Sequence, residues 1–158
     1  MNPLTALLFV LVGSQIITNL TAVSIAKRTA TSAGSMAGSR SAKHMHRIVF
    51  QVSVNDPERW ADVLANAENL QKAFGPDTTQ IEVICFGKGL DMLLNTDAPL
   101  AGRIAKDHAA GMALAACRNT LRARNLAPAD LLPAATPVDS GVAEIVRKEE
   151  AGWAYIKG

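Results

Sequence analysis

The chain has 158 residues, 49% of them hydrophobic and 4% aromatic, with a formal net charge of +2, enough for one domain with a real core plus an appendage. Residues 1–46 hold four basic residues (Lys27, Arg28, Arg40 and Lys43) and no acid, which leaves 12 basic against 14 acidic residues in the rest. That slightly acidic remainder lacks the basic stripe a nucleic-acid surface needs, and two cysteines do not make a disulfide framework.

The first element is an uncharged apolar stretch, "PLTALLFVLVGSQIITNLTAVSIA", Pro3 to Ala26. It has roughly the 20 residues that a membrane-spanning helix requires. Three readings fit it. As an anchor it has basic residues only on its C-terminal side, and the positive-inside rule places the remainder of the chain in the cytoplasm. As a secretory signal it offers the small-x-small triplet Ser24, Ile25, Ala26 but no basic n-region. In the third reading translation starts at Met45, the segment is an upstream extension, and the product is soluble in the cytoplasm. The expectation is a hydrophobic helix within residues 1–26, with the membrane as a partner through residues 3–26. Residues 27–45 come next as a flexible tether, because "TATSAGSMAGSRSA" cannot bury enough surface to offset the entropy of ordering. The folded domain then occupies residues 46–158.

Strand and helix patterns alternate from there. "RIVFQVSV" (Arg47 to Val54) is a β-branched run of strand length. Asp56 caps and Pro57 opens a helix whose Trp60, Val63, Leu64, Ala67, Leu70 and Phe74 fall at helical spacing, and Gly75 and Pro76 end it. "QIEVICF" reads as a buried strand, "GLDMLLN" as a short helix, "PLAGRIAKDHAAG" as a longer one, and "MALAAC" as the third strand. "NTLRARN" is the next helix, "ATPVD" a weak strand, "SGVAEIVRKEEAG" a helix opened by Ser140, and "WAYIK" a terminal extended piece. Strands too apolar for a wet face, in strict turn with helices, imply a three-layer α/β/α sandwich on a mainly parallel sheet of about five strands.

Ligands gather at the carboxyl ends of parallel strands, and Cys117 stands at such an end, in the turn before a helix carrying Asn119 and Thr120. Helix-start amides and the nearby Arg118, Arg122 and Arg124 favour thiolate over thiol. The competing reading is a small buried hydrophobe, the common fate of a free cysteine. Cys85, inside "EVICF", reads first as core packing and second as a resolving partner. Gly87 and Gly89 in "FGKGLDMLL" lack the third glycine of a dinucleotide fingerprint and the Walker spacing, so a structural turn is expected, with Lys88 on the rim near Cys117. His44, His46 and His108 show no zinc-type spacing, so neither a metal nor a cofactor is expected. Asp130 reads as the cap of a turn before Pro133, and "VRKEE" as a solvated helix face.

Taken in order, "HRIVFQVSVNDPERW", "IEVICFGKGLDMLL", "LAACRNTL", "DLLP", "SGVAEIV" and "GWAYIK" resemble the DsrE/DsrF-like family of YchN-like fold, in its small single-domain bacterial branch, over His46 to Gly158. The resemblance implies an α/β sandwich that assembles into a homo-oligomer, a trimer or hexamer. It also implies intracellular sulfur relay, with persulfide sulfur carried on the cysteine that matches Cys117 and passed between sulfur donor and acceptor proteins. Arg118, Asn119, Thr120 and Lys88 are the expected binding residues around it. A non-catalytic ligand-binding or protein-interaction module is the other functional class.

Overall fold

The computed structural model describes residues 43–96 and 99–158. The hydrophobic helix expected within residues 1–26 and most of the tether lie outside them. Among the described residues no helix is long and apolar enough to cross a membrane.

Among the described residues five strands form one sheet: His46–Val52 (β1), Thr79–Cys85 (β2), Ala113–Cys117 (β3), Ala135–Val138 (β4) and Ala154–Lys157 (β5). Their order is β4-β3-β2-β1-β5, and every neighbouring pair is parallel. Four helices join them: Pro57–Phe74 (α1), Ala101–Ala109 (α2), Arg118–Ala123 (α3) and Gly141–Glu150 (α4). The segment expected as a short helix is a run of 3-10 turns over Gly87–Leu93.

Each central strand is mainly apolar on both faces because both are covered. Phe50 and Val52 of β1, Val83 and Cys85 of β2, and Leu114 and Ala116 of β3 pack with Trp60 and Leu64 of α1, Ile104 of α2 and Leu121 of α3. Val49, Ile84 and Ala115, the residues between, face Ile145 of α4. Full burial of a residue such as Phe50 or Leu64 contributes about 1.5–3 kcal/mol each. Among the described residues three helices thus lie on one face and one on the other.

The termini of α1 agree closely with the sequence signals. The Asp56 carboxylate accepts from the N–H groups of Glu58 and Arg59, and Pro57 occupies the first turn. Phe74, expected in the buried stripe, is 44% exposed and stacks on the His46 ring, with centroids 4.0 Å apart. The helix has by then run past the sheet, so its last apolar side chain finds a ring at the start of β1 instead of the core.

Two carboxylates lie inside the fold. Glu82 of β2 is buried and forms an ion pair with Lys148 of α4, whose ammonium lies 4.4 Å from the centroid of the Trp153 ring. Asp107 is also buried, although the sequence pattern suggests a helix surface; burial first, and then neighbouring Glu68, push its carboxyl above the ordinary range. Asp130 does cap its turn, its carboxylate accepting from the Ala127 N–H at 2.7 Å.

Candidate functional site

The helices leave the sheet in a pattern that singles out one place. After β1, β2 and β3 the chain turns toward the face that α1, α2 and α3 cover, and after β4 it turns to the opposite face. Adjacent strands whose continuations part in this way open a crevice at their carboxyl ends, where ligands of open α/β sheets bind. Here the parting strands are β3 and β4, and their last paired residues are Cys117 and Val138.

Cys117 ends β3 and stands at the N-cap of α3, with φ −71° and ψ 115°. Register sets its direction: Cys85 pairs with Ala116, so Cys117, one residue on, lies on the α4 face with Ala115. Small residues at 115 and 116 let helices pack closely on both sides of this strand. From the opposite side α4 begins at Gly141, after Ser140 caps it by accepting from the Ala143 N–H. A Cβ at Gly141 would lie 3.0 Å from Phe86 Cδ1 and 3.3 Å from Cys117 Cβ, so the start of α4 approaches the thiol as closely as it does because position 141 has no side chain.

Burial pushes the Cys117 thiol up, but the Gly141 N–H, the Thr120 hydroxyl and the N–H groups of Thr120 and Asn119 outweigh it, and its pKa lies below the ordinary value. Thr120 is itself held: its Oγ1 accepts from the Gly87 N–H at 3.0 Å, which leaves the hydroxyl proton for the sulfur. Cys117 is 4% exposed. The arrangement can stabilise a thiolate, and equally a thiolate leaving group, in a crevice screened from bulk water.

The other residues expected from the sequence divide. Asn119 and Thr120 act on the sulfur. Arg118 is exposed, Arg122 donates to the Asn119 side chain, and Arg124 is paired with Asp91 at 2.6 Å. The depression of the thiol therefore comes from oriented N–H and O–H donors, the helix-start amides expected from the sequence among them, and not from the arginine charges expected beside them. Lys88 lines a separate cleft of about 750 Å³ with Val54, Asn55, Gly87, Asp91 and Arg124. Gly89 is explained by packing: a Cβ there would collide with the Val52 carbonyl group, so the turn presses directly onto the end of β1. Cys85 is fully buried 3.9 Å from the Met92 sulfur, and burial pushes its thiol far up. Among the described residues no cluster of three His, Cys, Asp or Glu could hold a metal ion.

Gly141 was not among the expected site residues. The available signal was the "DSG" at a strand end, which marks a helix start, but only the topology shows that this start faces β3.

Fold and site together define an α/β protein with an all-parallel sheet and one cysteine at its topological switch point. No protein-family model matches the chain, and no curated protein does. The solved structure of MTH1491 from Methanobacterium thermoautotrophicum, a protein of unknown function, is similar at 34% identity and a TM-score of 0.68, over 72% of this chain and 99% of that one. The chain belongs to the family of that archaeal protein.

Proposed function

We propose that the protein is a sulfur carrier of the DsrE/DsrF-like kind, a three-layer sandwich of YchN-like fold that holds persulfide sulfur on Cys117. The observation that carries this reading is the convergence of donors from α3 and α4 on one strand-end thiol, with its pKa depressed in spite of burial. In the loading step the Cys117 thiolate attacks the outer sulfur of a donor persulfide. A new S–S bond forms, the donor's S–S bond breaks, and the donor departs as a thiolate. In unloading an acceptor thiolate attacks the outer sulfur, and Cys117 departs as the thiolate that the same donors stabilise. The chemistry needs a reduced thiol, which fits a cytoplasmic setting and the two free cysteines. Self-association into a trimer or hexamer belongs to the same reading; Val142 and Val146 on α4 and Tyr155 and Ile156 on β5 are the exposed apolar groups that would support it.

The other reading, a ligand-binding module without sulfur chemistry, draws on the 4% exposure of Cys117. Intact mass of the full chain after incubation with inorganic polysulfide separates the two. The relay reading expects one added sulfur atom per chain, released by dithiothreitol, absent in Cys117→Ala and retained in Cys85→Ala. An unchanged mass in the wild type would sink it.

A further inference from the structure

The cleft that holds Lys88 is not absorbed by the thiol site, and its volume of about 750 Å³ suits a small organic molecule. Three segments build it: the loop after β1 through Val54 and Asn55, the 87–93 turn through Gly87, Lys88 and Asp91, and the C-cap of α3 through Arg124. Its electrostatics are positive in a domain that is otherwise slightly acidic. Asp91 is occupied, since one oxygen faces Arg124 at 2.6 Å and the other accepts from the Asn55 amide at 2.9 Å. Lys88 is exposed and makes no ion pair among the described residues. One wall is shared with the thiol site: Gly87 lines the cleft and donates its N–H to Thr120, whose hydroxyl acts on Cys117.

We infer that this cleft seats the sulfur acceptor, a low-molecular-weight thiol bearing carboxylates, with a carboxylate between Lys88 and Arg124; the inference rests on the relay reading of Cys117. The acceptor thiol gives its proton to solvent and attacks the outer sulfur of the protonated Cys117 persulfide. The acceptor-to-sulfur bond forms as the Cys117 S–S bond breaks, and the electron pair returns to Cys117 as thiolate. No oxidant or reductant is consumed. A full-sized protein acceptor would bypass the cleft and leave it without a ligand.

The test uses glutathione as probe on the full chain carrying Cys117→Ser, so that binding is read without chemistry. Amide shifts in a nitrogen-labelled sample are expected at Asn55, Gly87 and Lys88, equally with S-methylglutathione, and at least tenfold weaker binding is expected in Lys88→Glu with the remaining spectrum unchanged. Absence of shifts at these residues, indifference to Lys88→Glu, or equal binding of sodium sulfate would overturn the assignment. Persulfide loading of the wild type is measured separately. Sulfur uptake without glutathione binding removes the cleft assignment alone, whereas binding without sulfur uptake removes the acceptor role together with the relay reading.

Discussion

Thr120 is the residue on which the reactivity of Cys117 turns most cheaply, because its hydroxyl links the Gly87 N–H to the sulfur. Thr120→Val keeps the shape, removes the donor and leaves an amide without its partner. Alkylation of Cys117 by iodoacetamide is expected to slow roughly threefold or more at pH 7, and its rate-against-pH curve to move to higher pH. In the wild type that curve should rise at lower pH than for a free thiol. The same depression has a definite sign for stability: a group lowered in the folded state contributes stability at pH above its unfolded value, and loses it as pH falls through the folded one. Gly141→Ala tests the other helix. Its methyl meets Phe86 and the Cys117 Cβ at 3.0 and 3.3 Å, so a cost of about 1–3 kcal/mol is expected in denaturant melts. The thiol itself was legible in the sequence, as the last residue of an apolar run before a helix. So were Asn119 and Thr120 at the start of that helix; Gly141 was not, since it reaches the sulfur from another crossover, and the arginines adjacent in sequence turn to other partners.

At the scale of elements, α4 depends on one buried charge pair. Removing the ammonium in Lys148→Met leaves the Glu82 carboxylate uncompensated, and urea unfolding is expected to show a loss of about 3 kcal/mol. Adding Glu82→Gln to that variant should recover much of the loss; no recovery would assign the effect to lost packing on Trp153. Asp107 gives the opposite sign. Its raised pKa makes the ionised form a burden, absent at low pH and growing as pH rises through the ordinary carboxylate value. Asp107→Asn should therefore raise the melting temperature at pH 7 and change it little near pH 3. Strands and helices were readable in order because their periodicities differ and the caps of α1 and α4 are local. The burial of Asp107 was not, because the pairing of α1 with α2 that covers it is set by the sheet.

For the whole molecule the uneven layering is the feature with consequences. One face carries α1, α2 and α3, while among the described residues the other has α4 alone, with Val142 57% and Val146 47% exposed on its outer side. If copies meet there, Val146→Glu should shift sedimentation of the full chain toward smaller species without altering its circular dichroism. An unchanged distribution would move the contact elsewhere. The parallel sheet was legible from strands apolar on both sides. The allocation of helices to faces was not, since a crossover's destination depends on where the next strand docks.

The sheet also acts as a partition between the two thiols. Cys85 lies among the side chains under α1 and α2, Cys117 opens on the α4 side, and β2 and β3 form an unbroken hydrogen-bonded wall between those environments. A chain so divided has a valency of one. Oxidants cannot discharge Cys117 into an internal disulfide, so whatever it takes up persists until a second molecule collects it, and titration with a thiol reagent on the folded protein should end at a single equivalent.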